Sequence, residues 1–342
     1  MAKKLGAVLV GCGGISRTWL RTLVELPDVN LQALVDLDPA IARSRAEEFG
    51  LASARISSDL DATLEAVKPD MVFDCTVPTA HHSVTLTALR HGCHVLGEKP
   101  LADTLGHARE MIAAAQASDR LYAVMQNRRY DPNIRRLKAF LDSGVLGRVT
   151  TVNCDFYIGA HFGGFRDHME HVLLVDMAIH TFDAARLLTG ADPIAVFCKE
   201  WNPPGSWYDR DASAVAIFEM TDDIVYTYRG SWCAEGLNTT WESRWHVIGE
   251  HGSAIWDGAD GYEAEVVVET GGFFSEWERV AVPKVQEPTK QGGHAGAIRE
   301  FVRCVQTGSV PETVCTDNIK SLAMVFGAVA SAESGKRMEI GV

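Results

Sequence analysis

The residues with the most chemical potential are a lysine and an acid–base pair. Lys99 sits in the tripeptide Glu98-Lys99-Pro100, directly after the apolar run His94-Val95-Leu96-Gly97. That run reads as a strand, so the lysine stands at a strand's carboxyl end, the edge at which doubly wound sheets hold their ligands. Asp176 and His180 lie four residues apart within Val172 to Thr189, an interval whose pattern predicts a helix. Positions i and i+4 project from one helix face, so this acid and base can flank one small substrate. Drawing a proton from a hydroxyl requires a positioned base, and histidine is the side chain whose ordinary pKa lies nearest working pH. His180 is therefore the candidate base. Asp176 would accept a hydrogen bond from the reacting or adjacent hydroxyl, and Lys99 would donate to the same oxygen, where negative charge develops.

The start of the chain explains where electrons could go. Leu5-Gly6-Ala7-Val8-Leu9-Val10 reads as a buried strand and is followed at once by Gly11-Cys12-Gly13-Gly14-Ile15-Ser16, then by a helical stretch from Arg17 to Glu25. Gly11 suits a tight turn, Gly13 lets the backbone approach a pyrophosphate, and Gly14, Ile15 and Ser16 lead into a helix N-terminus whose free amides and dipole favour an anion. Ser16 occupies the place where a third glycine or alanine is usual. Leu31-Gln32-Ala33-Leu34-Val35 reads as a second strand ending in Asp36, about 25 residues after Gly11, close to the spacing of the acid that binds a ribose 2′-hydroxyl. Leu37 follows, with no arginine beside it to receive a 2′-phosphate. The expected cofactor is NAD, and hydride transfer to a nicotinamide is the chemistry that a nearby base and lysine would serve.

Strands and helices alternate through the first third: helices at 41–49, 59–66 and 84–91, strands at 71–76 and 94–97, then a helix at 104–118 and a strand at 121–125. This is the pattern of an α/β doubly wound parallel sheet with right-handed crossovers. After Arg148 the pattern changes to longer runs with period-two or β-branched content at 149–156, 213–220, 224–231, 244–248 and 263–269, which predict a mostly antiparallel sheet. Helices at 294–306 and 317–334 close the chain, and 201–205 and Pro283 to Gly293 read as loops. Two domains are expected, 1–125 and 126–342.

Composition narrows the function classes. With 342 residues and a formal charge of −13, the chain suits two cores and argues against nonspecific binding to nucleic acid or anionic membrane. No apolar run approaches a membrane span, and Met1-Ala2-Lys3-Lys4 before a strand does not resemble a signal peptide, so a cytoplasmic protein is expected. Eight cysteines stand singly and predict reduced, packed thiols. His168 and His171 fit no recognised metal-ligand spacing, and no metal is expected.

Taken together, Gly11 to Ser16, Asp36, the segment Thr76-Val77-Pro78-Thr79-Ala80-His81-His82, Gly92-Cys93-His94-Val95 leading to Glu98-Lys99-Pro100, Asn127-Arg128-Arg129-Tyr130 and Asp176-Met177-Ala178-Ile179-His180 resemble the Gfo/Idh/MocA family of oxidoreductases along nearly the whole chain. Thr79 stands where asparagine is frequent in that family, and Met177-Ala178 replaces a glycine-containing spacing. The resemblance implies a Rossmann domain, a second domain with a large open-faced sheet that supports homodimers or homotetramers, and chemistry on sugars or polyols. It places Thr76, Pro78 and His82 at the cofactor and Tyr157, His161, Arg166 and His168 toward the substrate; His82 reads equally as a capping or surface histidine. Glu98 would orient its neighbourhood or touch the nicotinamide ribose, or else pair with an arginine. Asn127, Arg128 and Arg129 line the cleft or supply helix-entry charge. Two functions follow: an NAD-dependent dehydrogenase acting on a ring carbinol or an anomeric carbon, or a non-catalytic dinucleotide-sensing regulator of the same fold. Retention of Lys99, Asp176 and His180 favours the enzyme.

Overall fold

The computed structural model of the chain describes residues 4–285 and 290–342. They form two compact units, one of residues 4–130 and 290–322 and the other of residues 131–285 and 323–342. Among the described residues no helix is long and apolar enough to cross a membrane.

The first unit is built on strands β1 (Leu5–Val10), β2 (Val29–Val35), β3 (Arg55–Ser57), β4 (Met71–Asp74), β5 (His94–Gly97) and β6 (Tyr122–Val124), with helices α1 (Ser16–Leu23), α2 (Pro39–Glu48), α3 (Leu60–Val67), α4 (Pro78–Arg90) and α5 (Leu105–Ser118) between them. The strands are all parallel in the order β3-β2-β1-β4-β5-β6. Strand order reverses between β1 and β4, which opens a crevice at their carboxyl ends. Every strand residue from Gly6 to Val10 and from Met71 to Asp74 is buried or nearly so, as expected of a sheet covered on both faces. Helix starts are locally encoded: Asp38, Asp59 and Thr104 each accept a backbone N–H of the following turn, satisfying donors that the helix cannot.

The second unit starts with α6 (Pro132–Asp142), capped by Asp131 on the amides of Asn133 and Ile134. Its strands are β7 (Val149–Tyr157), β8 (Pro193–Trp201), β9 (Ser213–Met220), β10 (Val225–Ser231), β11 (Arg244–Gly249), β12 (Gly252–Trp256), β13 (Tyr262–Glu269) and β14 (Glu276–Arg279), and α7 (Ile179–Thr189) lies between β7 and β8. They join one sheet in the order β14-β13-β12-β11-β7-β10-β9-β8, antiparallel at every pairing except β10 with β7. One face carries Val152, Cys154 and Phe156 of β7, Phe218 of β9, Tyr226 and Tyr228 of β10 and Trp245 of β11, all fully buried. Phe182 of α7 packs edge-on against Phe218, Tyr228 and Tyr226, with ring centroids 4.8, 5.3 and 6.2 Å away. That contact seats α7 on the sheet. The other face exposes Phe197, Ile217 and Val225.

After the second unit's strands the chain returns. Helix α8 (His294–Thr307) belongs to the first unit, α9 (Cys315–Ser334) starts there and ends in the second, and β15 (Met338–Glu339) pairs with the edge of the large sheet at β8. A single cut at 125/126 does not describe these units, because α8 contributes Ala297, Ile298, Phe301 and Val302 to the same core as Trp19 and Phe73. Periodicity shows that a helix has an apolar face but not which core receives it. The expected loop from Pro283 to Gly293 falls partly outside the described residues, whereas Asn202 to Gly205 lies in loop as expected. Helix α6 and strands β3, β8, β12, β14 and β15 are additional to the elements that the sequence pattern predicts. None of the eight cysteines is in a disulfide, and seven of them are buried.

Phe301 meets Phe73 at 6.1 Å and Phe73 meets Trp19 at 5.9 Å, all three without solvent exposure. Phe301→Ala should therefore cost about 3–5 kcal/mol of stability. Urea unfolding followed by tryptophan fluorescence reads this directly, and a loss under about 1 kcal/mol would show that α8 is not part of that core.

Candidate active site

In the first unit the expected cofactor residues gather along the carboxyl edge of the parallel sheet: Gly11 to Ser16 after β1, Asp36 after β2, Thr76 and Pro78 after β4, Glu98 and Lys99 after β5, and Asn127 after β6. Gly11 has φ +83°, and a Cβ there would lie 2.7 Å from the Cys75 carbonyl, so no other residue fits. Gly13 and Gly14 would meet nothing within 4 Å, which leaves their backbone open to a ligand. Ile15 is partly exposed beside them. Ser16, in place of a third glycine, is fully buried and donates to the Gly13 carbonyl at 2.6 Å. The polar atom is thus satisfied and tightens the turn.

Asp36 is held by that turn. Its Oδ2 accepts the Cys12 N–H at 2.7 Å and its Oδ1 the Asp38 N–H at 3.0 Å, leaving lone pairs on both oxygens for sugar hydroxyls. Arg45, also buried, donates to the Cys12 carbonyl at 3.1 and 3.2 Å. Burial and the neighbouring Asp36 charge push the Cys12 thiol up to about 12, which makes it an inert packing group.

Glu98 looks inward. Its carboxylate accepts the Trp19 indole N–H at 2.7 Å and the Lys99 N–H at 3.2 Å, with the His294 imidazole 3.7 Å away. Burial would raise this carboxyl, but His294, Trp19 and the Lys99 charge outweigh it and hold the group below the usual range. No arginine pairs with it among the described contacts. Thr76 donates both its N–H and its hydroxyl to Oδ1 of the buried Asp74, at 2.9 and 2.6 Å. His82, expected beside the cofactor loop, turns instead to α5: it bonds Glu110 at 2.8 Å and stacks on His107 at 4.1 Å. His81 is the histidine on the inner face of α4, where it shares the buried stripe of Val84, Thr85 and Ala88. Three- and four-residue spacing of those buried positions is the signal that separates the two.

In the second unit, Asp176 lies within a π-helical segment, Leu173–Ala178, and His180 in the first turn of α7. The plain α-helical spacing expected for the pair is therefore not what holds them. Four residues fall just short of a turn in the wider i→i+5 ladder instead of just beyond one, so the two stay on neighbouring stripes. Such π segments recur at functional sites. Asp176 accepts the Arg166 Nε–H at 2.8 Å, and the Arg166 guanidinium lies 5.1 and 4.8 Å from the Phe162 and Phe165 rings. Arg166, expected toward the substrate, is thus engaged with Asp176.

Tyr157 does not share that side of the sheet. It follows Phe156, which points into the core, and strand alternation turns it to the opposite face. There it lines a cavity of about 480 Å³ with Asp155, Arg244 and Tyr262. His161 stacks on Trp207 at 3.6 Å and pairs with Glu235 at 3.1 Å, while His168 bonds Asp209 at 2.6 Å. His171 has a structural part: at φ +52° it enters the π segment, its Nδ1 2.6 Å from the buried Glu200 and its Nε2 3.4 Å from Glu333. Among the described residues no group of His, Cys, Asp and Glu is placed to hold a metal ion.

Comparison with known proteins identifies the class. Residues 5–126 match the family model described as oxidoreductase family, NAD-binding Rossmann fold, and residues 134–255 match the Gfo/Idh/MocA C-terminal domain. The chain belongs to the Gfo/Idh/MocA family of oxidoreductases. A D-apiose dehydrogenase of Paraburkholderia graminis is 26% identical over 99% of this chain and 90% of its own, and an inositol 2-dehydrogenase of Ralstonia nicotianae is 32% identical over 55% of each. An oxidoreductase from Agrobacterium radiobacter, solved with NAD+, L-tartaric acid and magnesium, shares the fold with a TM-score of 0.86 at 21% identity, covering 99% of both chains. The protein is an NAD-binding dehydrogenase. The open backbone at Gly13 and Gly14 and the free lone pairs of Asp36 fit that cofactor's pyrophosphate and ribose.

The His171–Glu200 pair makes a pH prediction. The hydrogen bond to Glu200 raises His171 above the histidine range, and burial raises Glu200 against the pull of His171. Both folded values exceed the unfolded ones, so this stabilisation is complete at low pH and falls away as pH climbs through the raised His171 value, above about 6.5. Urea unfolding at pH 6 and pH 8 should show wild type losing more stability than Glu200→Gln across that interval; equal losses would contradict the assignment.

Proposed function

We propose that this protein oxidises a hydroxyl of a sugar or polyol, at a ring carbinol or an anomeric carbon, with His180 as general base and Lys99 and Asp176 as the groups that hold the reacting oxygen. What supports the reading most is the co-occurrence, in one chain, of the Gly11–Asp36 dinucleotide turn with a lysine at the carboxyl edge of the same sheet and an acid and a histidine across the π-to-α junction. The curated relatives named for D-apiose and inositol oxidation support the substrate class.

When bound, the cofactor supplies hydride acceptance. The rest is done by this chain. His180 takes the hydroxyl proton at an imidazole nitrogen as the C–H bond is broken. Lys99 donates a hydrogen bond to the oxygen as it loses that proton, and its positive charge stabilises the developing alkoxide character. Asp176, fixed by Arg166, accepts a hydrogen bond from the reacting or adjacent hydroxyl and so sets which carbinol is presented. Phe197, Ile217 and Val225 on the outward face of the large sheet support assembly as a homodimer or homotetramer through that face.

Asp36 should hold both ribose hydroxyls and repel a 2′-phosphate, so wild type should bind NAD more tightly than NADP, and Asp36→Ala should erode the difference. Fluorescence titration with NADH and NADPH measures both, and equal wild-type affinities would contradict the assignment.

Lys99→Ala and His180→Ala should each lower turnover on the order of a hundredfold or more while NAD affinity changes little. The double variant should lose less than the product of the two, because both residues serve one transition state. Near-normal turnover in His180→Ala would place the base elsewhere, and a Lys99→Ala protein that loses NAD binding instead of turnover would reassign the lysine.

A further inference from the structure

His81 is 1% exposed and projects inward from the first turn of α4. Its Nδ1 lies 2.8 Å from the Pro100 carbonyl oxygen and its Nε2 lies 3.1 Å from the Thr76 carbonyl oxygen. Both partners are backbone carbonyls, which can accept but not donate. The ring stands between the two and fixes their separation. Asp74, fully buried at the end of β4, holds the Thr76 side of this corner, its Oδ1 accepting both Thr76 donors.

The two carbonyls belong to two different loops of the carboxyl edge. One is the loop after β4, which carries Thr76. The other contains Pro100, the residue that follows Lys99. Resting on the catalytic reading of Lys99, we propose that His81 is a positioning residue whose ring, set between the Pro100 and Thr76 carbonyls, ties the Lys99 loop to the loop after β4 and so fixes where the lysine's backbone stands. A second tie, from the Tyr122 hydroxyl to the Leu101 carbonyl at 3.0 Å, keeps that loop attached to the sheet when His81 is replaced. Loss of His81 should therefore change position before it changes fold. Misplacement by a fraction of a bond length is enough to depress a step that depends on near-attack geometry.

The test is His81→Gln, whose one amide group can reach one of the two carbonyls. Its turnover should fall on the order of tenfold or more, with NADH affinity changed far less and a thermal unfolding midpoint close to wild type. His81→Asn should behave alike. Wild-type turnover in a folded His81→Gln protein overturns the positioning role. Failure of the Lys99 reading would register separately, as normal turnover in Lys99→Ala alongside lowered turnover in His81→Gln.

Discussion

The first unit depends on one backbone-on-backbone contact. Where β1 ends, Gly11 passes so close to Cys75 and Thr76 at the end of β4 that a single added carbon would lie 2.7 Å from a carbonyl. This is the switch point of the sheet, and the neighbouring features follow from it. Because the chain can turn there at φ +83°, the Cys12 amide meets Asp36 and the Cys12 carbonyl meets Arg45, so the turn and the acid after β2 are fixed together. Because the contact lies against the β4 loop, Thr76 and Asp74 are drawn into the same network. An open, anion-favouring backbone surface at Gly13 and Gly14 is what remains.

The second unit solves a different problem. A nine-stranded sheet has one buried face, and Phe182 anchors α7 to it through an aromatic cluster that includes Phe218, Tyr226 and Tyr228. The residues just before α7 are consequently held at both ends. His171 accepts a left-handed backbone and is fixed by Glu200 on β8, and the π segment that follows carries Asp176 to Arg166. A strained, ion-paired entry of this kind persists because the surroundings over-determine it.

How much of this was legible in the sequence depends on the range of the interaction. The glycine turn, Asp36 and the strands ending at Val10, Val35 and Gly97 are readable because their cues are local, whereas the strand from Met71, whose pattern runs to Thr76, ends at Asp74. Helix α6 carries local cues too, with Asp131 as cap, Pro132 in the first turn and Ile134, Leu137, Phe140 and Leu141 on one face, but it falls outside the elements that the sequence pattern predicts. Strand β8 begins with a proline and ends with Lys199, Glu200 and Trp201, a composition that hides a strand whose inner residues meet partners far away in sequence. The return of α8 to the first core, the outward turn of Tyr157 and the engagement of Arg166 with Asp176 are tertiary facts. Spacing suggests them at most. The choice between His81 and His82 was a matter of helix face, and the buried stripe of α4 decides it.

Every proposed residue role serves one event, the breaking of a C–H bond at a carbinol of a sugar or polyol. Its most direct test is label transfer: wild-type protein with NAD is offered a panel of aldoses, inositols and other polyols deuterated at their carbinol carbons, and the reduced cofactor is recovered and weighed. The prediction is that at least one member of the panel yields NADH carrying the substrate's deuterium. Saturable NAD binding with no labelled or unlabelled NADH from any member would contradict it and leave a dinucleotide-binding protein without this chemistry.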